Sequence, residues 1–216
     1  MLIVSLTGGI ATGKSIVART LENLGCYVDY ADKIAHRLME PEKPAWRKIV
    51  SLFGPEILNT DKTINRLKLA AFIFERENDR NSLNKFIHPL VLEEKKRIIE
   101  KLRKEGIYKI FVSEAALTIE AGFAKFFDKI IVVNCRQEVQ INRLMKRDKI
   151  SREDALKKIR AQMPSEQKFK FADYIIDTSG SISNTIEQTE QVFKNLNVDY
   201  KNQYEKRGNK KQDDQD

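Results

Sequence analysis

The residues with the most chemistry in them come early. Gly8-Gly9-Ile10-Ala11-Thr12-Gly13-Lys14-Ser15 matches G-x-x-x-x-G-K-[ST]. In that spacing the glycines let successive backbone N–H groups curl inward on phosphate oxygens. Lys14 would meet the β- and γ-phosphates of ATP as a mobile point charge, and Ser15 would offer a hydroxyl to Mg2+. Gly8, Gly9, Ala11, Thr12, Gly13 and Ile16 complete the expected ATP-binding turn. Further on, Asp29 and Asp32 close a short apolar stretch, where a carboxylate could orient or deprotonate an acceptor hydroxyl. Asp32 equally suits a helix cap or a first-turn acid. Glu114 follows Ile110-Phe111-Val112-Ser113, the place for an acid that holds Mg2+ through water. Arg143 and Arg147 are four apart and share a helix face. With Arg152 and Arg160 they offer planar guanidinium groups suited to bidentate phosphate contact.

Such a loop works only between a strand and a helix. Residues 2–6 read as a buried strand and 14–24 as a helix stopped by Gly25. Further strands are expected at 26–30, 108–113, 129–133 and 174–176. Helices are expected at 31–40, 44–53, 63–75 and 79–104, the last broken or restarted at His88-Pro89. Others should follow at 137–147, 151–162 and 181–195. Strands alternating with helices imply an α/β chain, a three-layer α/β/α P-loop kinase fold on a five-stranded parallel sheet. The block 31–105 is too long for a crossover and reads as an inserted helical substrate lobe. The stretch 137–170 reads as a short helical lid that closes over a triphosphate. One kinase domain is expected over 1–199, its core at 1–30, 106–136 and 171–199. Residues 200–216 read as a solvated, disordered tail.

Composition narrows the partners. The chain has 216 residues, 39 Lys+Arg against 31 Asp+Glu, and a formal charge of +8. That excess invites a nucleic-acid reading. Yet residues 136–170 alone hold 11 basic against 5 acidic groups, so the charge is a local element with few aromatics for base stacking. A small polyanion fits better than a long one, and no nucleic acid is expected as a partner. Cys26 and Cys135 match no metal or disulfide spacing. No apolar run reaches a membrane span, and no basic region precedes the apolar start. A cytoplasmic chain without a membrane partner is expected, as a monomer or weak homo-oligomer. A guanine-reading N-K-x-D is absent, since Asn209-Lys210-Lys211-Gln212-Asp213 has the wrong spacing. Two alternatives stand beside a kinase of small molecules in general: a nucleoside monophosphate kinase, and a nucleic-acid-binding P-loop protein.

The ordered landmarks are more specific than the loop. From residue 1 to about 196 the chain resembles the dephospho-CoA kinase family. The resemblance is carried by Leu6-Thr7-Gly8-Gly9-Ile10 through Ser15, Ala31-Asp32, Phe53-Gly54, Asn65-Arg66-Leu67, Phe74 and His88-Pro89. It continues through Glu120-Ala121-Gly122, Phe127-Asp128, Gln140, Arg143, Arg147, Gln162, Lys168 and Ala172-Asp173-Tyr174-Ile175-Ile176. It implies ATP- and Mg2+-dependent phosphorylation of the ribose 3′-hydroxyl of dephospho-CoA, giving CoA and ADP in the last step of coenzyme A synthesis. It further implies that Asp32 orients or deprotonates the hydroxyl, and that Lys14 and Arg143, assisted by Arg147, stabilise the transferring phosphoryl group. Arg66, His88 and Glu120 would line or support the acceptor. The chain departs from the family at Ala11 for glycine, Tyr30 for aspartate, Ala116-Leu117-Thr118 for Pro-Leu-Leu, and Thr178 for asparagine. A left-handed conformation at Ala11 would cost about 1 kcal/mol.

Overall fold

Seven consecutive buried residues, Leu2–Gly8, form β1 at the centre of a five-stranded sheet. The computed structural model describes the backbone of residues 1–75 and 77–213, with side chains except at 70–71, 73–82, 84–85 and 204–213. Its elements fall into two compact units, Met1–Asp29 with Leu102 onward, and Tyr30–Lys101.

In the first unit β1 leads through the loop into α1 (Lys14–Asn23) and then β2 (Tyr27–Tyr30). After residue 101 come β3 (Ile110–Glu114), β4 (Lys129–Asn134) and β5 (Tyr174–Asp177). The order across the parallel sheet is β2-β3-β1-β4-β5. Val4 pairs with Val112 on one side of β1 and Leu6 with Ile131 on the other, while Val132 pairs with Ile175. Crossovers therefore diverge to both sides of β1, and ligands of such sheets bind where this happens, beyond the carboxyl ends of the strands. β1, β3 and β4 read as near-continuous apolar runs because both their faces are covered, while Ile175 of the edge strand β5 is exposed. Val4, Leu6, Phe111, Val112, Ile131, Val132 and Val133 are fully buried, each worth about 1.5–3 kcal/mol. Two buried hydroxyls interrupt β1 and are satisfied: Ser5 Oγ donates to Thr118 Oγ1 at 3.2 Å and Thr7 Oγ1 to the Ala116 carbonyl at 3.1 Å.

Between β4 and β5 lie α6 (Gln137–Asp148), α7 (Arg152–Arg160) and the short α8 (Ser165–Phe169), of which the periodicity foretold only the first two. Ser151 caps α7 by accepting from the Asp154 N–H at 3.0 Å. The last described element is α9 (Ile182–Asp213). Helix thus covers most of the stretch expected as a tail, and residues 214–216 lie outside the described residues. From 182 to 207 there is neither proline nor glycine. Tyr174 Oη donates to Asp199 at 2.6 Å and Gln203 Nε2 to Asp128 at 3.0 Å, so side chains tie the helix down beyond residue 200.

The second unit is helical: α2 (Ala31–Leu38), α3 (Pro44–Phe53), α4 (Arg66–Glu75) and α5 (Glu77–Glu105). Ile34, Ile49, Phe53, Ile57, Leu69, Leu83, Ile87 and Val91 form its core, with Phe72 and Phe86 packed against it. The side chain of Phe74 lies outside the described residues. The break expected at His88-Pro89 does not occur, and Pro89 stands inside α5. Proline there forfeits a backbone hydrogen bond and costs about 3 kcal/mol. Leu83, Ile87 and Val91, spaced by four, bury one stripe on both sides of it, and that burial offsets the cost.

Candidate active site

Gly8 and Gly13 have φ of 151° and 90°. A side chain on Gly8 would overlap the Val133 carbonyl oxygen, and one on Gly9 would lie 2.9 Å from Gln140 Nε2. Gly9 is bare because Gln140, from α6, reaches over it. Gln140 Nε2 donates to the Ile10 carbonyl at 2.8 Å, and the Ile10 N–H donates to Gln162 Oε1 at 2.7 Å. Two glutamines thus grip one residue of the loop from both ends of its backbone. Ala11 takes the left-handed conformation, φ 57°. Its methyl packs on Ile141, Leu144 and Ala155 of α6 and α7, a contact that glycine would lack. Lys14 Nζ donates to the carbonyls of Gly8 at 3.0 Å and Gly9 at 2.9 Å. The ammonium therefore sits folded over the loop that the motif assigns to phosphate.

Arg143, from α6, reaches the same loop by way of Thr178. Its Nη1 donates to Thr178 Oγ1 at 2.9 Å and its Nη2 to the Thr178 carbonyl at 2.7 Å. Thr178 Oγ1 in turn donates to the Thr12 carbonyl at 2.7 Å. Cys135 is buried beside this group, and burial pushes its thiol up against the lowering influence of Arg143 and Thr178. Arg147 is engaged elsewhere. Its Nε donates to Asp148 at 2.8 Å, and Asp148 also accepts from Lys158 at 3.0 Å. Those hydrogen bonds hold the Asp148 carboxyl at about 2. Arg152 pairs with Glu138. Arg160 lines a cavity of about 420 Å3 with Gly9, Asn134, Arg136, Gln140 and Gln162.

Glu120 faces a fully buried lysine. Lys168 Nζ lies 2.7 Å from Glu120 Oε1 and donates to the Ala116 carbonyl at 3.0 Å. Losing either partner of such a pair strands a buried charge, at about 3–5 kcal/mol. Glu114 ends β3 in register with Leu6, and Ser15 presents an exposed side chain in the first turn of α1. One hydroxyl and one carboxylate suit Mg2+, which keeps several waters and binds through few protein groups plus substrate phosphates.

In the second unit Asp32 is exposed in the first turn of α2. His36 shares that helix and lines a small cavity with Arg66, Met39, Thr63, Ile64 and Leu69. Burial and Arg66 lower its titration, opposed by Asp32. His88, half-buried on α5, is also lowered by burial. A histidine depressed in the folded state binds protons more tightly when unfolded. Its contribution to stability is therefore present above the ordinary value near ~6.5 and is lost as pH falls below it. Between about pH 7.5 and about pH 5.5 the melting temperature should fall less in His88→Gln than in the unaltered chain. An equal fall in both would contradict this.

Of the residues singled out from sequence, Gly8, Gly9, Ala11, Thr12, Gly13, Lys14 and Arg143 converge in the first unit, and Asp32 and Arg66 act on one histidine in the second. The bonding partners that sequence reasoning passed over are Gln140, Gln162, Thr178 and Lys168, visible there only as landmarks or departures.

A glycine-rich loop at the carboxyl end of a central strand, gripped by Gln140 of α6 and Gln162 just after α7 on a five-stranded parallel sheet, defines the P-loop kinase fold. The sequence model of the dephospho-CoA kinase family matches residues 2–184. The chain is 41% identical over 197 residues to the dephospho-CoA kinase of Bacillus cereus, covering 91% of this chain and 98% of that one. It is 45% identical over 186 residues to that of Carboxydothermus hydrogenoformans, covering 86% and 90%. The solved dephospho-CoA kinase of Campylobacter jejuni superposes with a TM-score of 0.67 at 30% identity, covering 90% of this chain and 96% of that one. The chain belongs to the dephospho-CoA kinase family.

Proposed function

We propose that this chain transfers the γ-phosphoryl group of ATP to the ribose 3′-hydroxyl of dephospho-CoA, releasing CoA and ADP as the last step of coenzyme A synthesis in the cytoplasm. The carrying observation is the loop of Gly8 to Ser15, with Lys14 folded over it and Arg143 anchored beside it, in a chain of this family. The N–H groups of the loop and the positive end of α1 receive the phosphates. Lys14 moves from its carbonyl perches to the β/γ-oxygens. A guanidinium carries five donors, so Arg143, with two on Thr178, keeps others for the transferring group. Arg147, on the same helix, would assist by exchanging its bond to Asp148 for the phosphate oxygens. Asp32 takes the proton of the acceptor hydroxyl as the oxygen attacks phosphorus and the bond to ADP breaks. Arg66, His88 and Glu120 support the acceptor. Ser15, with Glu114 through water, would hold Mg2+, which when bound neutralises charge on the phosphates.

The test is ADP release with dephospho-CoA against AMP, CMP, GMP and adenosine as acceptors. Turnover of dephospho-CoA should exceed that of each of the others by about 10²-fold or more. Equal or faster turnover of a mononucleotide would overturn the proposal in favour of a nucleoside monophosphate kinase.

A further inference from the structure

Thr178 occupies a junction that the chemistry of the loop does not by itself call for. It is fully buried just past the end of β5, where its N–H extends the sheet by donating to the Asn134 carbonyl at 2.9 Å. Its hydroxyl has one proton and two carbonyls within reach, Thr12 at 2.7 Å and Asn134 at 3.3 Å. The shorter contact is the stronger. The same oxygen accepts from Arg143 Nη1, and the carbonyl of the same residue accepts from Nη2. Both arms of the arginine fork thus close on one residue. On its other side Thr178 sets the space at Gly13, where an added side chain would lie 3.2 Å from Oγ1.

We infer that Thr178 is a positioning residue for phosphoryl transfer, setting through one hydroxyl both the Thr12–Gly13 peptide of the phosphate loop and the guanidinium of Arg143. The peptide is planar and trans, so its C=O and N–H point in opposite directions. Pinning the Thr12 carbonyl fixes the aim of the Gly13 N–H, one of the donors the loop's spacing assigns to phosphate. The fork on Arg143 leaves its position tied to that same peptide. Loop and arginine are therefore set as one unit, and a shift of either moves both. This inference rests on reading the loop as the ATP site.

The experiment compares Thr178→Val, which keeps the shape and removes the hydroxyl, with Thr178→Ser, which keeps the hydroxyl. Binding of ADP is measured by calorimetry without any acceptor, and kcat and KM for ATP are measured with dephospho-CoA. Thr178→Val should weaken ADP binding about tenfold and lower kcat/KM for ATP about 10²-fold, with KM for dephospho-CoA unchanged, and Thr178→Ser should restore most of both. In an Arg143→Ala background the Thr178→Val step should cost a smaller factor, because the two residues act together. Thr178→Ala removes the same hydroxyl and serves if the valine variant melts below the assay temperature. Equal behaviour of valine and unaltered chains, equal losses in valine and serine variants, or the same factor with and without Arg143 would each overturn the inference. If dephospho-CoA is not turned over by the unaltered chain, yet ADP binding still falls in the valine variant alone, the acceptor reading fails and the role of Thr178 stands.

Discussion

Lys14→Met should lower kcat for phosphorylation of dephospho-CoA by about 10³-fold, with a rise in KM for ATP. Methionine keeps the apolar stem as far as Cε and removes the charged ammonium with its three donors. The ammonium now donates to the Gly8 and Gly9 carbonyls at 3.0 and 2.9 Å, perches it can leave when phosphate oxygens arrive. Charge spreads over the equatorial oxygens as the phosphoryl group moves, and a group placed to meet it is worth about 3–4 kcal/mol. Lost contacts of a charged donor to the two carbonyls cost about 1.5–3 kcal/mol each, a loss of stability that the melting temperature reads separately from the rate. Lys14→Arg should not rescue, because a planar fork cannot replace a compact charge. Rapid-quench measurement of the first turnover isolates the step. A loss below about tenfold there would remove Lys14 from the chemistry.

Asp32→Asn should lower kcat by about 10²–10⁴-fold, the range of general-base catalysis, and leave ADP affinity within about threefold. Its setting makes the outcome interpretable. The side chain is exposed in the first turn of α2, so neutralising it strands no buried charge and costs at most about 1 kcal/mol through the helix dipole. A structural role would appear in the melting curve and a chemical one in kcat. Near-full activity in Asp32→Asn would remove this carboxylate from the mechanism.

How much of this was legible in sequence depended on distance along the chain. The loop and its flanking strand and helix were readable because glycine spacing and a buried apolar run are local signals. The five strands were readable for the same reason, and the edges differ by a residue or two because strand ends answer to neighbours. Passage of α5 through Pro89 was not readable. Local chemistry forbids it, and burial of Ile87 and Val91 against remote partners overrules that. The continuation of α9 past residue 200 depends on Asp128 meeting Gln203, 75 positions away. Gln140 and Gln162 carried no sign of their partner, because Ile10 lies 130 and 152 positions earlier. Thr178 was noticed as a departure, but a hydroxyl in a sequence does not say which carbonyl it will meet.

The placement of α1 bears on how the protein is made. Helix α1 packs against α9, the last described element, with Val17, Ala18 and Leu21 buried on one side and Val192 and Leu196 on the other. Its strand, β1, waits for partners about 110 and 125 residues later. The phosphate loop therefore precedes the strands that support it by more than a hundred positions, and it acquires its shape only once they are paired with β1. Until α9 is in place, the apolar side of α1 lacks one of its covers, and exposed apolar surface of that kind invites aggregation in a folding chain. Contacts so distant in sequence must form before the loop is shaped, and pairings of that range are the slow ones in folding.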